Sequence, residues 1–175
     1  MARRYDSKGN STKATQEHWT KLTRNMMETP AWRALSPTAQ ALYVWFKLEW
    51  KGPRANNNGK IRFSVRQAAN ALGVARDTAA RAIHDLQAKG FLVMTQKPSL
   101  GLDGAAKSPA FELTELPLPG SEKPEGRKFY RDWRRGHDYP VPKVASNNPE
   151  GRNGHAKTCH RSEDAPVTEI RTVSK

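Results

Sequence analysis

Between Ser64 and Leu92 the apolar positions fall into two helical stripes separated by a glycine. Val65, Ala68, Ala69 and Leu72 recur at three- and four-residue spacing behind Ser64, an N-cap residue type, and predict a two-turn helix. Gly73 ends it, because glycine takes the left-handed conformation at a helix C-terminus without a Cβ penalty. A second helix is predicted from about Ala75 to Lys89, with Ala79, Ala82, Ile83 and Leu86 on one stripe and Gly90 as its stop. Arg76, Asp77, Ala80, Arg81 and His84 then face outward. Two helices around a tight glycine turn, the second basic near its start, make the pattern of a helix-turn-helix.

Upstream, apolar residues begin at Trp19 and continue through Leu22, Met26, Met27, Trp32 and Leu35. Thr29-Pro30 and Ser36-Pro37 each set an N-cap residue before a proline at the first helical position, so two helices start seven residues apart. The second, Pro37 to Trp50, is apolar on most sides; it is central to the core or has a second face covered by a partner, such as a homodimer seam. Lys51 to Gly59 is a turn cluster, and Ile61-Arg62-Phe63 reads as a short isolated edge strand. Phe91 to Gln96 and Ala110 to Leu116 read as the strands of a hairpin around a loop from Lys97 to Pro109. The order of elements is that of a winged helix.

The expected fold is therefore mainly α with a small β-hairpin, an α+β winged helix-turn-helix over residues 18–116. Residues 1–17 read as a flexible basic arm, and 117–127 as a Pro/Gly linker. Within 128–144, Lys128 to Arg135 interleaves aromatic and basic residues. Phe129, Tyr130 and Trp133 either dock on the domain, stack on nucleic acid, or meet a protein partner. Residues 145–175 have too few spaced apolar positions for a core and are expected to be disordered.

Charge narrows the partner. The 175 residues carry a net +13, of which residues 1–34, 60–90 and 117–175 each hold +4, so the excess is not merely a basic tail. Such a balance favours a polyanion. The single cysteine, Cys159, excludes an intramolecular disulfide and fits a reducing cytosol; no membrane span or secretory signal is visible, so a cytoplasmic, nucleoid-associated protein is expected.

The run LGVARDTAARAIHDLQAKGFL resembles the DNA-binding half of GntR-type transcriptional regulators, matching their motif at Leu72, Gly73, Val74, Arg76, Thr78, Ala82, Ile83, Leu86, Gly90 and Leu92. From Trp32 to Thr114, with AWRALSP, NNNGKI and FELTEL, the chain is similar to small winged-helix proteins and replication-initiator domains of phages, plasmids and other mobile elements. The resemblance implies that Arg76 and Thr78 touch DNA at the start of the recognition helix and Arg81 one turn on. Ala75 stands where the family carries a hydroxyl cap. Asp77 puts a negative charge at the groove-facing end, either accepting from a cytosine N4 group or favouring the helix N-terminus. The family's effector-binding domain has no counterpart in residues 117–175, so no metabolite-responsive repressor is implied.

Double-stranded DNA is thus the expected partner. Arg76 and Arg81 suit guanine edges or phosphates, Lys60, Arg62 and Arg66 the backbone, and the wing residues Lys97 and Lys107 an adjacent groove. His84 is a groove contact or an exposed side chain without function. Regulation of transcription or initiation of replication in a phage or mobile element is the expected role, and a protein-interaction adaptor built on the same domain the alternative. Catalysis is not expected: the chain has no Walker loop, no nucleophile elbow and five scattered histidines. His155, Cys159 and His160 are the one metal-like cluster, without a second pair at zinc-finger spacing, so neither metal nor other cofactor is expected.

Overall fold

Two proline-led caps set where the first full helices begin. In a computed structural model, which describes residues 18–100, 106–122 and 124–142, a single turn α1 (Arg24–Met27) precedes α2 (Pro30–Arg33) and α3 (Pro37–Leu48). Thr29 Oγ1 accepts from the Trp32 N–H at 3.2 Å and Ser36 Oγ from the Ala39 N–H at 3.3 Å. Each side chain satisfies an amide that the helix itself leaves open. Next come β1 (Ile61–Arg62), α4 (Val65–Leu72), α5 (Arg76–Ala88), β2 (Leu92–Gln96), β3 (Ser99–Leu100), β4 (Ala106–Lys107) and β5 (Ala110–Leu113). The described residues are thus α+β, with five α-helices and a three-stranded antiparallel sheet in the order β1-β5-β2. The predicted basic arm, the predicted tail and the His155–Cys159–His160 cluster lie outside the described residues.

Two strand expectations change. β1 is an edge strand but not an isolated one, because Ile61 pairs with Phe111 and Arg62 with Ala110 on β5. The span from Lys97 to Pro109 is not all loop, since Ser99 pairs with Lys107 and Leu100 with Ala106. Once β2 and β5 diverge at the irregularity between Met94 and Gln96, backbone groups farther out still need partners, and a short second ladder supplies them.

The core is aromatic. Trp32, Tyr43 and Phe91 meet edge to face with ring centroids 5.4–5.6 Å apart, and Phe46 lies 4.9 Å from Phe63 and 5.3 Å from Phe111. Such pairs add about 0.5–1.5 kcal/mol each beyond the burial of their area. On α3, Ala39, Leu42, Tyr43 and Phe46 are buried while Trp45 keeps 41% of its surface exposed, so this helix does not spend all its apolar residues on the core. Burial, and then the Glu115 carboxylate, push the Tyr43 hydroxyl well above its ordinary range, leaving it a donor to Glu115 Oε2 at 2.8 Å.

The residues set apart as linker and basic-aromatic segment form a strap over this core. Asn58, buried in the turn cluster, donates to the Leu113 and Leu116 carbonyls and accepts from the Leu113 N–H, while Asn56 donates to the Pro117 carbonyl. Arg127 grips the buried Glu112 carboxylate with both Nε and Nη2, a bidentate geometry suited to guanidinium. Tyr130 stacks on Phe91 at 4.8 Å, and Trp133 donates from Nε1 to Asp138 Oδ1 at 2.8 Å. Tyr139 closes the strap, with its N–H on the Ala88 carbonyl at 2.8 Å. Tyr130 and Trp133 are 2% and 4% exposed, so of the readings open to them docking on the domain is the one they adopt and contact with a partner is excluded for these two rings: the slot beside Phe91 and the end of α5 takes both. Phe129, half-buried, lies against Tyr139 and beneath the Arg127 guanidinium. No helix among the described residues is long and apolar enough to cross a membrane.

Candidate nucleic-acid interface

α4 begins with a reciprocal cap. Ser64 Oγ accepts from the Gln67 N–H at 3.2 Å while Gln67 Oε1 accepts from the Ser64 N–H at 2.9 Å. It ends at Gly73, whose φ of 65° and ψ of 33° lie in the left-handed region, with the Val74 N–H returning to the Ala69 carbonyl at 3.0 Å. Only one further residue separates this turn from Ala75, which precedes α5 and offers no side-chain acceptor. The first turn of α5 is therefore uncapped, and its leading N–H groups remain open to an external acceptor.

Two contacts aim α5. Its stripe of Ala79, Ala82, Ile83 and Leu86 is buried, and Asp85 Oδ2 accepts the Ser36 N–H at the head of α3 at 2.8 Å while Oδ1 pairs with Lys89. Arg76, Asp77, Ala80, Arg81 and His84 are consequently all exposed along the other side. Thr78 is half-buried, with its Oγ1 3.5 Å from Arg81 Nη2. Asp77 lies in the first helical turn, where a negative charge complements the helix dipole.

Between the start of α4, the start of α5 and the hairpin runs a cleft of about 570 Å³. Arg66, Arg76 and Lys107 line it together, over apolar residues Val65, Ile83, Met94 and Phe111, and none of its lining residues is acidic. Three cations over a low-dielectric floor create a focused positive field. Arg81, His84, Lys60 and Lys97 are exposed but do not line the cleft. Arg62 is also exposed, yet its Nη1 donates to the Ser108 carbonyl at 2.6 Å and its Nη2 to Gln96 Oε1 at 2.7 Å, so it braces the base of the hairpin.

The apolar floor was not part of the sequence expectation. Its signal lay in the alternation along β2: Met94 shares a face with Leu92 and sits directly across from Phe111. No group of three or more His, Cys, Asp or Glu residues that could hold a metal ion occurs among the described residues. Comparison with family models, curated proteins and solved structures finds no match for this chain.

Proposed function

We propose that the domain is a winged helix-turn-helix, related to the GntR-type and replication-initiator-like winged-helix domains it resembles. It binds double-stranded DNA sequence-specifically, as a transcriptional regulator or replication-initiation factor of a phage or mobile element. The observation that carries this reading is the convergence of Arg66, Arg76 and Lys107 on one cleft free of lining acids, beside the exposed face of α5. In this reading α5 enters the major groove, Arg76 and Arg81 meet base edges, and Arg66 and Lys107 hold phosphates. The uncapped start of α5 offers its amides to a phosphate oxygen. Lys60, Lys97 and His84 flank the same surface as weaker contacts. The adaptor alternative loses support because Tyr130 and Trp133, two of the aromatics it relied on, are committed to the core.

Selection of bound sequences from a random duplex pool, followed by affinity measurements across salt concentrations, tests the reading. The expected result is an enriched motif whose log affinity falls linearly with log salt, by roughly 0.9 per phosphate neutralised. A palindromic motif would point to a two-fold dimer. An unenriched pool with salt-independent binding would overturn the assignment in favour of an adaptor.

A further inference from the structure

A second cavity, of about 620 Å³, lies between residues 18–21, the C-terminal end of α3 and the residues after β5, and shares no lining residue with the first. One wall is Trp19, 76% exposed and the most exposed large apolar side chain among the described residues. Another is Trp50, whose ring is fixed by an Nε1–H bond to Asn56 Oδ1 at 2.9 Å. Lys47 lines the cavity although it is only 5% exposed, an unusual setting for lysine. Its ammonium donates to Glu115 Oε2 at 2.7 Å and to the Lys21 backbone carbonyl. The buried lysine thereby cancels the Glu115 charge and ties the segment carrying Trp19 to α3. Lys21 and Lys51 also line the cavity, so that with Lys47 paired to Glu115 two further cations stand beside two indoles.

We propose that this cavity binds an unpaired nucleotide of a single-stranded nucleic acid. The base stacks on Trp19, and the flanking phosphates pair with Lys21 and Lys51. An indole face accepts any base, and ammonium groups beside it track the backbone without reading sequence. The Lys47–Glu115 pair serves that use, because an unneutralised carboxylate on the cavity floor would repel a phosphate. Lys47 acts as a positioning residue through the Lys21 carbonyl and Glu115. With Lys47 neutralised by Glu115, the exposed Lys21 and Lys51 beside the indoles suit an anionic aromatic ligand better than an apolar side chain. This site is independent of duplex binding at α5.

The test titrates the full chain with a short thymidine oligomer and a uridine oligomer of equal length, reading tryptophan quenching and anisotropy of labelled oligomer. Binding is expected, with Trp19→Ala weakening it on the order of tenfold and Lys51→Ala about threefold, while Arg76→Ala leaves it unchanged. Both Trp19 and Lys51 are exposed, so the variants keep their fold, which circular dichroism checks. Tighter binding of the thymidine oligomer assigns the ligand to DNA, and of the uridine oligomer to RNA; either supports the site. Absence of binding by both, undiminished binding by Trp19→Ala, or equal losses in Trp19→Ala and Arg76→Ala would overturn it. Because the duplex assay reads Arg76 and this one reads Trp19, failure of one proposal leaves the other measurable.

Discussion

The outer face of α5 and the strap from Arg127 to Tyr139 are both rich in basic residues, yet only the strap commits part of its run to the core. On α5, Arg76, Arg81 and His84 stay exposed because the stripe that packs on the core, Ala79, Ala82, Ile83 and Leu86, lies on the opposite side and leaves only the small Ala80 among them. In the strap the rings lead and the charges follow: Tyr130 and Trp133 enter the core, Arg127 takes the buried Glu112, and Lys128 pairs with Glu125. Rings that the core can use and a buried acid thus take Tyr130, Trp133 and Arg127 out of the strap's run, while its Arg131, Arg134 and Arg135 stay exposed like the cations of α5.

The largest effect that tests this contrast is on the strap. Tyr130→Ala should lower unfolding free energy by about 3–5 kcal/mol in urea titration, the usual cost of removing a buried aromatic, while the protein that remains folded binds DNA as before. Unchanged stability with lost binding would make the strap a contact surface and erase the distinction. The mirror experiment is on α5, where Arg76→Ala and Arg81→Ala should each weaken specific DNA binding by about 1–3 kcal/mol in gel-shift titration while shifting stability by no more than about 0.5 kcal/mol. If both variants bind normally, the exposed cations of α5 are an ordinary solvated face. The smallest effect is at the head of α5: Ala75→Ser should add the missing cap and raise stability by about 1 kcal/mol, read as a shifted urea midpoint. No shift there would mean that the first-turn amides already have acceptors.

Local signals in the chain were enough for α2 to α5 but not for α1, which starts after Thr23 without a side-chain cap bond. Ser36-Pro37, Ser64 and Gly73 mark boundaries by side-chain chemistry and backbone conformation, and the stripe Ala79, Ala82, Ile83, Leu86 is buried as its periodicity predicts. The exposure of Arg66, Arg76 and Lys107 was legible for the same reason, but their meeting at one cleft depends on how the hairpin packs against α4 and α5. The strap was not legible, because Phe129, Tyr130 and Trp133 carry the same spacing whether their partner is a base or Phe91, and Phe91 lies thirty-nine residues before Tyr130 in the chain. The hidden role of Arg62 has a similar origin: nothing near it in sequence announces Ser108 or Gln96. Trp19 and Lys47 belong together only once the Lys21 carbonyl is seen to rest on the Lys47 ammonium.

Gly90 follows Lys89, the C-cap of α5, with φ of 76°, and the strap presses on it from outside. A Cβ there would stand 2.8 Å from a ring carbon of Tyr139 and 3.0 Å from Phe129, so any other residue drives a wedge between helix and strap in addition to straining the backbone. A genetic screen for loss of DNA binding should accordingly recover substitutions at position 90 alongside those at position 76. The two classes would part on warming: the first regains function at low temperature, where a weakened fold still holds, and the second stays inactive at every temperature.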